Sequence, residues 1–581
     1  MTVENGNKMA NTYYEGPKLP ISIEIDEIKY RDGDETFDGK IRRLARSMSD
    51  NAEHEMELQE IFGNLRFLPA GRVQNAMGSR KITSAYNCFV SGEIEDSMDA
   101  IMTRAAEAAE TMRRGGGIGY DFSKLRPKGA LIKSLQSKAS GPVSFMGIYD
   151  AVCQTIASSG HRRGAQMGVL RVDHPDIFEF LRAKRNSDKL TGFNVSVGVT
   201  DLFMETLKKD DDSFDLVFDG VVYRTVSARE LWDEIMLSTW DWAEPGVLFI
   251  DCINSQNNLW YIETIGTTNP CGEQPLPPNG ACLLGSFNVV SYLEKKGDAW
   301  VFDYTKFKAD IPHIVRAMDN VIDRTIYPLK AQEDEAKSKR RMGLGLTGAA
   351  NAGEMLGFKY GSEEFLEWLE GILKLLRNGT YRASSDLAAE KGAFPLWDAK
   401  WLDSGFAKTL PYRLRKRIKE QGMRNSHLTS IAPTGTISLV AENVSSGIEP
   451  VFSHYYDRTI QTFEGPKVER VSDFAYRNGV KGVTANELSV KDHVAVLALC
   501  QHYVDSAVSK TCNVGDDVTF EEFKDVYYNA WELGCKGITT FRAAGKRYGI
   551  LNEVKEEATE EEEGAEACFI DPVTGQKGCS L

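Results

Sequence analysis

Apolar and polar positions along this chain switch between two periods, and the switches predict its elements. Across residues 39–64 apolar side chains recur at helical spacing, with Ile41, Leu44, Ala45 and Met48 followed by Met56, Leu58, Ile61 and Phe62. Asp96-Ser97 opens a second helix on which Met98, Ile101, Met102, Ala105, Ala109 and Met112 form one apolar face; Arg113-Arg114 sit in its last turn and Gly115-Gly116-Gly117 stop it. Ala228 to Thr239, residues 363–390 and Phe523 to Leu533 repeat the helical pattern. Short apolar runs lie between them: Ala85 to Val90, Phe193 to Val199 and Met342 to Thr347 read as strands, Leu428 to Ala432 leads into Pro433 to Ser438, and Lys536 to Phe541 follows the last helix. Strand–helix alternation on this scale predicts one α/β body, a barrel. Residues 1–20 carry no such pattern and read as a flexible lead-in, and no repeat of fixed period is present.

Composition narrows the class. With 581 residues, 42% hydrophobic and 26% charged, the chain can bury a large core. A net charge of −15 argues against a protein that coats nucleic acid, although a local positive pocket still suits a small anion. No apolar run is long enough to span a bilayer, and Met1 to Pro17 lacks the apolar core of a secretory signal. Ten cysteines in so long a chain are not a disulfide framework and read as reduced thiols, which predicts a cytoplasmic protein, or one of the host cytoplasm if virus-encoded. The pattern breaks at Glu553. Glu553 to Ala567 is almost all Glu, Ala, Gly, Thr and Lys, too polar to bury and therefore a tether, with Cys568 and Cys579 beyond it. Two thiols on such a leash suit disulfide exchange. The competing reading is metal binding, but without histidine they supply half a zinc site, and no metal site is read elsewhere.

The stretch Asn269-Pro270-Cys271-Gly272-Glu273 concentrates the chemistry. Its proline and glycine exclude helix interior and central strand, so it is a loop. A carboxylate two residues from a thiol disfavours the thiolate, which suits sulfur used as S–H or as a radical, with Glu273 as a separate base. The bland alternative is a surface turn with an incidental cysteine. Cys88 and Cys282 are two further candidate redox thiols. Gly115 to Gly119 imitates a dinucleotide loop but follows a helix, where that fingerprint must follow a strand. Ser158 to Gly164, rich in Gly and Arg, reads either as a phosphate cradle or as a solvated basic turn. The turn Pro433-Thr434-Gly435-Thr436-Ile437-Ser438 leaves backbone amides and hydroxyls to meet an anion. Together these suit two-electron reduction of a phosphorylated substrate with disulfide turnover.

In these residues the chain resembles ribonucleotide reductase large subunits, most closely the adenosylcobalamin-dependent kind. The resemblance runs from about Phe67 to Arg542 through FLPAGR (67–72), NCFVSGEIEDSMDAI (87–101), GGGIGYDFSKLRPKGA (115–130) and ASGPVSFM (139–146). It continues with RRGAQMGVLRVDHPDI (162–177), TNPCGEQPLPPNGACLLGSFN (268–288), RRMGLGLTG (340–348), SIAPTGTISL (430–439), SSGIEPVF (445–452) and LGCKGITTFR (533–542). It implies a ten-stranded α/β barrel of the ribonucleotide reductase/glycyl-radical type, with a central finger loop carrying Cys271. Three regions follow: 1–65, a lead-in and helical segment without an ATP-binding cone; 66–545, the barrel with its specificity region; and 546–581, the tether with its cysteine pair. In family terms Cys271 becomes a thiyl radical that takes the ribose 3′-hydrogen, Glu273 takes the 3′-OH proton and Asn269 holds the substrate hydroxyls. Cys88 and Cys282 supply proton and electrons and end as a disulfide, which Cys568 and Cys579 reduce before being reset by thioredoxin or a similar dithiol protein.

The resemblance further implies that Pro433 to Ser438 grips the substrate phosphates. A dNTP effector meets Asp96, Ser97 and their helix, with Arg163 in the messenger loop Ser158 to Gln166, at a homodimer interface. The bland reading of Asp96 is a helix cap. Large subunits fed by a separate metal-containing radical subunit carry two adjacent tyrosines on the last barrel strand. Here that place reads Ile538-Thr539-Thr540-Phe541-Arg542, while Tyr527-Tyr528 lie on the preceding helix pattern, which favours adenosylcobalamin. The alternatives are a reductase that does need such a subunit, and a non-catalytic nucleotide-binding regulator on the same scaffold.

Overall fold

The computed structural model describes residues 13–156, 165–185, 189–462, 465–515, 517–542, 552–553, 568–570 and 577–579. At its centre is a ten-stranded sheet. Its strands are β1 (Phe67–Pro69), β2 (Cys88–Val90), β3 (Gly117–Asp121), β4 (Gln166–Arg171), β5 (Phe193–Val199), β6 (Gly246–Phe249), β7 (Ala281–Asn288), β8 (Met342–Thr347), β9 (Thr511–Val514) and β10 (Gly537–Arg542). Their spatial order is β1-β7-β2-β3-β4-β5-β6-β10-β9, with β8 also on β7. Strands β2 to β6 run parallel to one another. Strand β7 lies antiparallel to β2, and β10 antiparallel to β6, whereas β7 with β8 and β9 with β10 are parallel pairs. Strands β7 and β8 are buried along their whole length, as expected of parallel sheet covered on both faces.

Beyond β8 the backbone pairing continues in single bridges. Leu344 pairs in parallel with Thr429, and Ile431 in parallel with Val508, just before β9. The amides of Leu344 and Ser430 donate to the carbonyls of Leu428 and Leu344, and those of Ile431 and Ser509 to Ala507 and Ile431. Residues 428–431 thus lie between β8 and the approach to β9. Close passage is possible because Gly345 has no side chain: a Cβ there would overlap the carbonyl of Ser430.

Three helices precede the sheet. The first, α1 (Pro20–Tyr30), starts at the end of the expected lead-in and fills a stretch for which the hydrophobic pattern predicts no element; Pro20 stands at its first turn, where no amide bond is lost. Tyr14 is buried against Gly63, and Ser22 Oγ donates to the carbonyl of Leu439 at 2.5 Å, so residues from Tyr14 onward belong to the body. The helix expected over 39–64 is two, α2 (Phe37–Met48) and α3 (Ala52–Gly63), because Asn51 leaves the helix and caps the second by accepting from His54 N. Helix α4 (Met98–Arg113) begins where expected, but the face it buries is Ile101, Ala105, Ala108, Thr111 and Met112. Met98 and Met102 point outward, 59% and 49% exposed. Gly115–Gly119 enters β3 and is no nucleotide loop. None of the described helices is long and apolar enough to cross a membrane.

Candidate active site

Between β6 and β7 the chain makes a finger. Thr267–Thr268 pairs with Pro275–Leu276 as a two-residue ladder, and residues 269–274 form its tip. The tip is tied internally: Asn269 N donates to Gln274 O at 3.0 Å, Gln274 N to Asn269 Oδ1 at 2.9 Å, and Gly272 N to Asn269 O at 3.1 Å. Gly272 takes φ +81°, which a side chain resists. Three outside donors fix the finger. Asn194 Nδ2 reaches Pro270 O at 2.9 Å, while Ala507 N and Ser430 Oγ meet Glu273 O at 3.0 and 2.9 Å. The finger rests on β3, where a Cβ at Gly119 would overlap the carbonyl of Thr268 and one at Gly117 would press on Pro270. The glycines of GGGIGY therefore serve close backbone approach.

Under the tip lie the two other predicted thiols. Cys88 on β2 and Cys282 on β7 are direct cross-strand partners, although 194 residues separate them. Such partners share a face with Cβ atoms about 4.5–5.5 Å apart, within the range from which a disulfide closes with modest adjustment. Both are buried and free. Cys88 Sγ points to Glu273 Oε1 at 3.8 Å and accepts from Asn269 Nδ2 at 3.2 Å. Burial, then the carboxylate of Glu273, drives the Cys88 thiol well above its ordinary pKa. Burial does the same to Cys282, against the opposing pull of the Arg341 guanidinium. Both thiols are therefore held as S–H, ready to give a proton together with electrons. Glu273 and Asn269 are buried, whereas Cys271 at the tip is exposed.

Arg341 was not among the residues singled out from sequence. It precedes Met342, the register partner of Leu283, and so stands beside Cys282. Its guanidinium pairs with both Glu263 and Glu335, and Lys339 joins the same carboxylates at 2.8 and 3.0 Å. The signal was its position at the start of the RRMGLGLTG run, in a buried setting where a lone arginine is not tolerated.

The turn 433–438 comes next along the chain from Ser430. Thr434 adopts φ +53°, and its hydroxyl faces inward, 2.9 Å from Thr347 Oγ1 and accepting from Gly447 N at 2.7 Å. Ser438 Oγ lies 3.1 Å from Ser446 Oγ. These two hydroxyls brace the turn from within. No hydrogen bond ties the amides of Gly435 and Thr436 to other described residues. Behind the turn, Glu442 accepts from the amides of Lys18 and Leu19 at the entry to α1.

The remaining predicted residues lie apart. Ser97, not Asp96, caps α4 by accepting from Ala100 N at 3.2 Å. Asp96 instead receives Arg126 Nε at 2.5 Å and Arg126 N at 3.2 Å, so the cap reading of Asp96 fails. It borders a cleft of about 490 Å³ also lined by Lys124, Arg171, His174 and Phe218. Arg163 and the loop Ser158 to Gly164 lie outside the described residues. In the tail, Cys568 and Cys579 are Cα partners of a short antiparallel pair. Tyr527 is buried with its hydroxyl 2.8 Å from Thr540 Oγ1, and Tyr528 packs on Trp531, so neither sits on β10.

Residues 86–478 and 478–541 match the family described as ribonucleotide reductase, barrel domain. A vitamin B12-dependent ribonucleoside-diphosphate reductase of Thermoplasma acidophilum is 35% identical over 537 residues, spanning 87% of this chain and 67% of that protein. The protein of the same name from Mycobacterium tuberculosis (strain CDC 1551 / Oshkosh) is 36% identical over 523 residues, 85% of this chain and 72% of its own. A ribonucleoside-diphosphate reductase subunit alpha of Chlamydia muridarum is 26% identical over 472 residues, 71% of this chain and 44% of its own. The matched family region takes in the finger, Cys88, Cys282 and the turn 433–438.

Proposed function

The chain belongs to the ribonucleotide reductase family, and on that premise we propose that it is a cobalamin-dependent ribonucleoside-diphosphate reductase working through a thiyl radical on Cys271. The observation that carries this is the finger, which holds Asn269 and Glu273 against Cys88 while Cys88 faces Cys282 across two strands. Cys271 as a thiyl takes the 3′-hydrogen, and Glu273 accepts the 3′-OH proton. The 2′-OH leaves as water with a proton from the Cys88–Cys282 pair. The same pair supplies the two electrons and its second hydrogen, which ends at C2′, and closes to a disulfide; Glu273 returns its proton to the 3′-oxygen and Cys271 its hydrogen to C3′. The sum is ribonucleotide plus two thiols giving deoxyribonucleotide, disulfide and water.

The residues present suit adenosylcobalamin. Cys271 alone of the three site thiols is exposed, and a Cβ at neighbouring Gly272 would meet no described residue within 4 Å, so a bulky group can approach the tip. When bound, adenosylcobalamin supplies the one-electron oxidising equivalent. The backbone pairing supports a ten-stranded barrel of two halves. β2 to β6 form one, and β7, β8, residues 428–431, β9 and β10 the other, all parallel within each half. In this reading β1 is an added edge.

The amides of Gly435 and Thr436 would receive the substrate phosphates. Asp96 and Ser97 at their cleft would meet a dNTP effector, with Arg163 reporting which one is bound. Outward-facing Met98 and Met102 support a homodimer interface on α4. Cys568 and Cys579 would reduce the Cys88–Cys282 disulfide and pass the oxidation to thioredoxin or a similar dithiol protein. The test is the purified chain with adenosylcobalamin, a small dithiol and CDP. Deoxy product is expected, and none without adenosylcobalamin. Product only after a metal-containing subunit is added would refute the cofactor assignment, and nucleotide binding without turnover would leave a regulator.

A further inference from the structure

The hairpin Tyr455–Thr462/Gly465–Ser472 leans on the turn 433–438 from outside the sheet. Its base is fixed there: Tyr456 Oη donates to Asn443 Oδ1 at 2.8 Å, and Asn443 Nδ2 to Ser472 O at 2.8 Å. From this platform Arg458 sends Nη2 to the carbonyl of Gly435 at 3.1 Å. The same nitrogen lies 3.9 Å from where a Cβ on Gly435 would stand, with no other atom of the described residues within 4 Å. The guanidinium therefore borders an open space at the turn.

The neighbouring carboxylates are engaged elsewhere. Asp457 pairs with Arg470 at 3.1 Å, and Glu469, the register partner of Arg458, pairs with Lys467 at 3.4 Å. Arg458 forms no ion pair with a described residue. A half-buried cation held next to two unused amides, with the acids around it spent on others, has the chemistry of an anion contact. Arginine's planar fork matches phosphate oxygens in pairs.

Resting on the reading of the turn as the phosphate site, we propose that Arg458 is a substrate-binding residue that supplies the positive charge the neutral turn lacks, and that it sets the preference for a nucleoside diphosphate over the nucleoside. The backbone amides give direction, and the guanidinium gives charge.

The experiment uses the full chain with adenosylcobalamin and a small dithiol, comparing Arg458→Gln, Arg458→Lys and Gly435→Ala with the parent. The readouts are the KM for CDP and competition by inorganic pyrophosphate and by cytidine. Arg458→Gln is expected to raise the CDP KM about 10- to 100-fold, as for a lost charge-assisted contact, and to weaken pyrophosphate similarly while leaving cytidine unchanged. Arg458→Lys should recover part of the loss, as a point charge without the fork. Gly435→Ala puts a methyl into the open space and should weaken CDP whether or not Arg458 takes part. If Arg458→Gln keeps the parent's CDP and pyrophosphate affinity while Gly435→Ala loses it, the turn binds phosphate without Arg458 and the proposal falls. If Arg458→Gln weakens cytidine as much as CDP, the residue only props the turn, and the proposal again falls. If neither variant changes CDP affinity, the phosphates bind elsewhere and the reading of the turn fails with it.

Discussion

Replacing Glu354 by glutamine tests how the floor of the turn 433–438 is held. Glu354 lies on the helix Ala349–Met355 directly after β8, buried to 6% exposure, and neither carboxyl oxygen has a hydrogen-bond partner of normal geometry among the described residues. Three residues earlier, Asn351 Oδ1 accepts from Ser445 N at 2.7 Å and its Nδ2 donates to Asp473 Oδ1 at 2.8 Å; Ser445 O in turn accepts from Thr347, the hydroxyl partner of Thr434. Burial first, and the nearby Asp473 carboxylate second, push Glu354 up to about 8 from 4.5, with a small opposing contribution from the amide of Val483. Asp473 is raised as well, mainly by burial, with Asn351 and Arg477 opposing.

A carboxyl raised on folding binds its proton more tightly in the native state, so its contribution to stability falls as pH rises from about 4.5 and levels off above about 8. At 1.36 kcal/mol per pH unit the cost of keeping the proton is about 3 kcal/mol at pH 7 and about 4 kcal/mol at pH 8. Glutamine keeps the shape and cannot ionise. Urea unfolding of parent and Glu354→Gln at about pH 5.5 and about pH 8 should show the parent losing about 3 kcal/mol more than the variant over that interval. A constant offset is expected on top, because the amide also needs partners. If parent and variant lose equal stability between the two pH values, Glu354 is not held protonated and the reasoning fails.

Cys271→Ser is expected to abolish deoxynucleotide formation with nucleotide binding retained, since an alkoxyl radical is far harder to form than a thiyl; product from this variant would refute the assignment. Cys568→Ser and Cys579→Ser should each allow about one product per pre-reduced site and then stop with thioredoxin, yet turn over with a small dithiol; loss of the first turnover would place these cysteines in the chemistry itself. Asp96→Asn should change thermal stability without nucleotide little, because its pair with Arg126 is partly exposed, but should shrink the stabilisation by dNTP and blur choice among the four substrates. Parent-like dNTP stabilisation and substrate choice together would refute the effector role. Gly119→Ala should displace the finger and remove activity at reduced stability, and an active, stable variant would contradict the close approach of Thr268.

What could be read from the chain was local. The loop character of residues 269–273 follows from Pro270 and Gly272 themselves, and strands β5 and β8 begin and end where their apolar runs do. What could not be read depends on neighbours distant in sequence. The period of α4 predicted a face, but which residues it buries depends on the helix and strand packed against it, and Met98 and Met102 fall outside that contact. In α1, Ile21, Ile23 and Ile25 alternate as a strand would; Pro20 at the first turn and the seat against residues 437–440 make it helical. The pairing of Cys88 with Cys282 is a register between distant strands, and no spacing rule reports it. Arg458 was invisible for the same reason, because its partner is a carbonyl 23 residues away on a different element.

Both segments that carry chemistry are seated by the same device. The finger lies on β3 at Gly119, and the strand leading to the turn lies on β8 at Gly345; a single methyl at either point would meet a backbone carbonyl. Each segment then binds the other, since Ser430, whose carbonyl abuts Gly345, donates its hydroxyl to the carbonyl of Glu273 at 2.9 Å. Glu273 in the finger and the start of the turn 433–438 are thus separated by one hydroxyl bond and the few residues from Ser430 to Pro433. That path contains no long side chain and no exposed hinge. On the proposed reading, a ribonucleotide spanning it would meet a fixed distance between its phosphates and its 3′-carbon, so the selection of where hydrogen is removed would reside in backbone geometry. On the same reading, the thiols beneath would open and close as a disulfide without moving either end of the substrate.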